Sequence, residues 1–115
     1  MNTVVLSALA EPNRKRIVEL LRDGPRPVGE IAEQLQLRQP QVSKHLKVLS
    51  DAGLVAVRPA ANQRIYQLQP QPFEALDTWV ETFRKAWEGR LDKLGEYLQE
   101  LKAAQPADDE PVQKA

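Results

Sequence analysis

Apolar residues recur along this chain at two periods, and the change of period divides it. Val5, Leu6 and Leu9 stand at helical spacing in a short opening element that stops near Glu11-Pro12. Pro12 suits the first turn of a second helix, where its missing N–H costs nothing. Ile17, Leu20 and Leu21 give that helix an apolar stripe as far as about Asp23, with Arg14, Lys15, Arg16 and Arg22 elsewhere around it. Gly24-Pro25-Arg26-Pro27 then breaks the chain. A short third helix, about Val28 to Leu35, buries Val28, Ile31 and Leu35. The connection Gln36-Leu37-Arg38 leads to a fourth helix that opens at Gln39-Pro40 and ends near Gly53. Two short helices joined by so tight a turn have the layout of a helix-turn-helix.

After Gly53 the period becomes that of a strand. Leu54-Val55-Ala56-Val57 and Ile65-Tyr66-Gln67-Leu68 predict two short strands joined by residues 58–64, a hairpin with a polar tip. Pro70 and Pro72 end it. A single long helical pattern follows, with Leu76, Val80, Phe83, Trp87, Leu91, Leu94, Leu98 and Leu101 in steps of three and four, the spacing of a helix-packing seam. The predicted fold class is mainly α with a two-stranded β wing: four helices, two strands and a last helix, forming a winged helix-turn-helix over residues 1–102. The acidic, proline-containing segment 103–115 has no apolar periodicity and is expected to be disordered.

Composition narrows the chemistry. The 115 residues allow one modest core. Cysteine is absent and His45 is the one histidine, so thiolate nucleophiles, disulfides and zinc ribbons are excluded and a histidine cluster cannot form. No glycine-rich phosphate loop, nucleophile elbow or persuasive acid/base pair is present, so no enzyme and no cofactor is expected. Apolar runs fall far short of a membrane span. Ala8-Leu9-Ala10 imitates a secretory cleavage site, but no Lys or Arg precedes it, so a helix is expected there and the localisation expected is cytoplasmic. Charge is uneven: residues 1–70 carry ten Lys/Arg against six Asp/Glu, and residues 71–115 six against ten. The front half is the candidate anion binder.

The fourth helix concentrates that chemistry. Val42, Leu46 and Leu49 fall within about 60° of one another and define a buried face. Lys44 and Lys47 lie opposite, with Ser43 on one flank and Gln41 on the other. Apolar anchors behind and long donors in front are what a recognition helix needs to reach base edges in the major groove. A solvated helix face would carry the same residues, and the preceding turn and following wing weigh against it. Arg38 and Gln39 at the helix start, and Arg58 and Arg64 on the wing, complete the expected DNA contacts. His45 sits beside the buried stripe, where packing, a hydrogen bond or a phosphate contact is expected rather than metal ligation or catalysis.

The run ALAEPNRKRI (8–17), then Val28-Gly29-Glu30-Ile31-Ala32, then QPQVSKHLKVLSDAGLV (39–55) resembles the ArsR family of winged helix-turn-helix transcriptional repressors, over roughly residues 3–101. The resemblance implies a bacterial homodimer that binds a palindromic operator in double-stranded DNA, usually near its own promoter. Many such relatives release DNA when metal binds. Their third-helix cysteine pair would fall here on Pro27 and Gly29, and the last helix offers Asp77, Glu81, Asp92 and Glu96 without a histidine. The last helix looks like that of the metal-independent members, so no metal site is expected. The wing tip, Ala60-Ala61-Asn62-Gln63, departs from the glycine-rich basic tip common in relatives.

Part of a helix about 45 Å long, at 1.5 Å per residue, finds no partner within so small a domain. A homodimer through Leu6 and Leu9 of the first helix and Leu76, Val80, Phe83, Trp87, Leu91, Leu94 and Leu98 of the last is expected, in preference to a fold-back monomer. Trp79, Phe83 and Trp87 are expected to pack rather than line a ligand pocket, and any small-molecule inducer is unknown. The alternative function is a winged-helix protein-interaction module that has lost DNA binding, which the balanced overall charge permits.

Overall fold

The computed structural model describes residues 2–104. Helix α1 (Thr3–Leu9) opens under the side chain of Asn2, which accepts the Val4 N–H at 2.9 Å. Helix α2 (Pro12–Leu21) has proline in its first turn and Glu11 as its cap, with Oε2 accepting the Arg14 N–H at 2.9 Å. Helices α3 (Val28–Leu35) and α4 (Gln39–Asp51) follow with the expected bounds. Each ends in the same way. The N–H of Leu37 bonds the Ala32 carbonyl at 3.0 Å, and that of Leu54 bonds the Leu49 carbonyl at 2.9 Å. The left-handed residue is Gln36 (φ 56°) in the first case and Gly53 (φ 79°) in the second.

The wing differs from expectation in two respects. A two-residue strand, β1 (Arg26–Pro27), pairs antiparallel with the last strand, so the sheet has three strands in the order β1-β3-β2. Proline cannot donate to a ladder, and Pro27 is tolerated because β1 is an edge. The hairpin strands, β2 (Val55–Ala60) and β3 (Gln63–Leu68), also run on through most of the segment expected to connect them. The pairs Arg58↔Ile65, Pro59↔Arg64 and Ala60↔Gln63 leave only Ala61 and Asn62 as the turn, with Ala61 at φ 55°. Leu54 lies just before β2 and is wholly buried. Its carbonyl accepts the N–H of Gln69 at 2.9 Å, so the base of the wing is closed by main-chain bonds on both sides of one residue.

The core is apolar throughout: among the described residues no polar or charged residue is buried. Ile17, Ile31, Val42, Leu46, Leu49 and Leu54 are its largest fully enclosed side chains. Each contributes roughly 1.5–3 kcal/mol by leaving water. Val5, Ala8, Val18, Leu21, Ala32 and Val55 complete it, with Leu9, Leu20, Val28, Leu35 and Phe73 packed partly against it.

The last helix, α5, spans Pro70–Ala104. Ala103 and Ala104 are helical where disorder was expected, because alanine is the strongest helix former and no breaker comes before Pro106. The rest of the expected tail lies outside the described residues. The chain divides into two compact units, one ending at Asp77 and the other starting at Thr78. Within the second, Trp79 and Phe83 meet edge to face at 5.0 Å, and the Arg90 guanidinium lies 5.5 Å from the Trp87 ring centroid. No residue of α5 is buried; Leu76 is half-buried, and from Trp79 on the exposure of the large apolar residues runs from 38% at Trp79 to 59% at Leu91. Among the described residues no helix is long and apolar enough to cross a membrane.

Candidate nucleic-acid interface

Helix α4 is held by one face. Val42, Leu46 and Leu49 are fully enclosed, as the helical period requires, and that fixes which side chains look outward. Ser43, Lys44 and Lys47 are exposed, Gln41 and His45 are half-buried, and Arg38 and Gln39 are exposed at the helix start. Arg38 occupies the N-cap position, where its donor-only guanidinium cannot cap the helix, and its side chain is exposed. Lys47 is not wholly free: its Nζ lies 3.5 Å from Oδ2 of Asp51, one turn on, with both side chains well exposed. Such a pair is weak, and a phosphate can displace the carboxylate.

The wing meets this helix across a groove of about 510 Å³ lined by Gln39, Ser43 and Lys47 from α4 and by Val57, Arg64 and Tyr66 from the hairpin. A second hollow, about 680 Å³, continues from Gln39 and Arg64 to Asn62, Gln63, Glu30 and Glu33. Glu30 is engaged there by Arg26 at 2.6 Å and Gln34 at 3.1 Å. The structure thus brings Gln39, Ser43, Lys47 and Arg64 to one groove. Arg58 does not join them. Facing residues of an antiparallel pair share a face, so Arg64 sits with Pro59, Val57 and Tyr66, while Arg58 shares the other face with Ile65. Lys44 and Gln41 belong to the outward side of α4 but do not line the groove.

Sequence reasoning missed the partner of His45. Its Nδ1 lies 3.5 Å from Oε2 of Glu11, the oxygen that caps α2. Burial opposes ionisation of Glu11, but the N–H groups of Arg14 and Asn13, then the charges of His45 and Arg14, hold its carboxyl below the ordinary value. Two arginines of α2 are also committed to helix ends. Arg14 donates from Nε to the Ala8 carbonyl at 2.7 Å, at the end of α1, and Arg16 donates from Nη2 to the Leu35 carbonyl at 3.0 Å, at the end of α3. Each places a cation at the negative pole of a helix dipole. The signal that could have found them is the absence of any basic residue in the last turn of α1 or α3 itself. No group of three or more His, Cys, Asp or Glu able to hold a metal ion occurs among the described residues.

Residues 9–58 match the family described as Helix-turn-helix domain, a span that runs from the end of α1 through α4 into the wing. The chain is similar to the HTH-type transcriptional regulator Rv2034 of Mycobacterium tuberculosis, with 50% identity over 76 residues, 66% of this chain and 71% of that one. Other relatives are named as transcriptional repressors. Among solved structures it is similar to an ArsR family transcriptional regulator at TM-score 0.66 and 28% identity, covering 75% of this chain and 89% of that chain. It is likewise similar to the homodimeric winged helix-turn-helix DNA-binding domain of a possible ArsR-family regulator from Mycobacterium bovis. There the TM-score is 0.61 and the identity 28%, over 72% of this chain and 77% of that fragment. Sequence and architecture agree, and the chain belongs to the ArsR family of winged helix-turn-helix transcriptional regulators.

Proposed function

We propose that this protein is a homodimeric repressor that reads a palindromic operator at or near its own promoter, in the bacterial cytoplasm, and that it neither catalyses a reaction nor senses a thiophilic metal. The observation that carries the reading is the division of α4: Ser43, Lys44 and Lys47 exposed opposite wholly enclosed anchors, with Arg64 across the adjoining groove. Lysine reaches guanine O6 and N7, glutamine pairs with adenine, and the exposed Arg38 and Arg64 take phosphates. The exposed stripe of α5 supports a dimer, since an apolar seam of that length is stabilised by a copy of itself. Two-fold symmetry then sets the recognition helices about 34 Å apart, one turn of DNA. A dimer seated on a promoter represses by occupying it.

Metal independence is supported by a chain without cysteine, by Pro27 and Gly29 where the resemblance would put a cysteine pair, and by a single histidine that faces Glu11. The decisive experiment measures affinity for a duplex selected by the protein from a random-sequence pool and for a scrambled duplex. Lys44→Ala or Lys47→Ala should cost about 1–3 kcal/mol on the selected duplex and less on the scrambled one. If both variants bind the selected duplex as wild type does, α4 is not the reader.

A further inference from the structure

The one histidine of the chain lies on the recognition helix and faces the residue that starts α2. We infer that Glu11 is a positioning residue for DNA reading, holding the orientation of α4 through His45; this rests on the reading of α4 given above. The anchors Val42, Leu46 and Leu49 hold α4 down but are all apolar, and hydrophobic burial is non-directional, so they give the helix no polar contact that fine-tunes its roll about its axis. His45 projects from the flank of that face, and its Nδ1 meets Glu11 Oε2 at 3.5 Å with both side chains partly buried. Glu11 is itself fixed. The same oxygen takes the Arg14 N–H at 2.9 Å, and the Arg14 side chain is tied to the carbonyls of Ala8 at 2.7 Å and Ser7 at 3.4 Å. The start of α2 and the middle of α4 are thereby joined through one carboxylate, and the Arg14 side chain ties the start of α2 to the end of α1.

A roll of α4 moves Lys44 and Lys47 relative to base edges while leaving their charge near the backbone. Loss of the contact therefore lowers preference for the right sequence more than it lowers affinity for DNA in general. Beside the pair, α2 supplies the Arg14 guanidinium, and α1 has no ionisable side chain. Of the other elements packed on α4, α3 carries Glu30, which Arg26 engages, and the exposed Glu33, and β2 carries the exposed Arg58.

The test uses the ratio of affinities for the selected and the scrambled duplex. Glu11→Asn keeps a good helix cap but removes the carboxylate, and His45→Gln removes the imidazole; each should lower the wild-type ratio severalfold at fixed pH and salt, and the double variant should be no worse than either. Glu11→Asp should restore part of the ratio. A readout that needs no DNA comes from 15N spectra of the single imidazole. At high pH its proton should sit on Nδ1 in wild type and move toward Nε2 in Glu11→Asn. A Glu11→Asn protein that keeps the wild-type ratio overturns the inference, as does one that loses affinity equally for both duplexes, the mark of a phosphate contact by His45. Lysine variants with wild-type affinity overturn instead the assignment of α4 as reader.

Discussion

Arg58 and Arg64, the two charges of the wing, stand on opposite faces of the same hairpin, because Arg58 pairs with Ile65 and Arg64 with Pro59 in adjacent registers. Only Arg64 lines the groove that Lys47 and Ser43 also line. Arg64→Ala should weaken binding to all duplexes alike and reduce the slope of log affinity against log salt by about one, whereas Arg58→Ala should change that slope less. Fluorescence anisotropy between about 50 and about 200 mM salt measures both; equal slopes would place the two arginines in equivalent contacts.

The fold places its heaviest demand on the back of α4. Leu46 is fully enclosed, so Leu46→Ala should lose about 2–5 kcal/mol in urea denaturation. Gly53 tests conformation alone. No atom stands within 4 Å of a Cβ added there, yet its φ of 79° should make Gly53→Ala cost about 1 kcal/mol or more. Gly89, in open space and in helical backbone, should respond in the opposite sense, with Gly89→Ala gaining roughly 0.5–1 kcal/mol.

Phe83 and Leu94 are half-exposed members of the α5 stripe. Phe83→Glu or Leu94→Glu should shift the mass seen by light scattering toward monomer and weaken binding to a two-half-site duplex. Affinity for a single half-site should change far less. A wild-type protein that stays monomeric at tens of micromolar would exclude the dimer.

The Glu11 carboxyl is held below its ordinary value of 4.5. A depressed value means that the folded state favours the charged form. Its contribution to stability is complete above the unfolded value and is lost as pH falls through the lower, folded one. Urea midpoints of wild type and Glu11→Gln should therefore differ most at neutral pH and converge toward acid. A difference that grows on acidification would contradict the sign.

Periodicity made the core of α4 legible, since Val42, Leu46 and Leu49 recur at the helical step and nothing competes with them. The third helix and the stripe of α5 followed from the same rule, and the prolines at the starts of α2 and α4 from the free N–H positions of a first turn. Contacts between distant parts of the chain carry no period. Arg16 reaches the end of α3 across 19 positions, and Glu11 reaches His45 across 34, so both sequence signals are ordinary surface charges. Strand β1 has two residues, one of them proline, and reads as a break; only β3 beside it makes it a strand. The extension of the hairpin was hidden for a related reason, because Arg58-Pro59-Ala60 has no apolar alternation and gains its pairing from the opposite strand.

Leu54 donates its N–H to the last turn of α4 and accepts the N–H of Gln69 where α5 is about to start. The hairpin between them is thus an excursion whose two ends are already pinned side by side. Its tip at Ala61-Asn62 can be lengthened, shortened or recharged without parting the two ends held at its base. The tip of the wing can therefore change in length and charge while the core beneath it stays as it is.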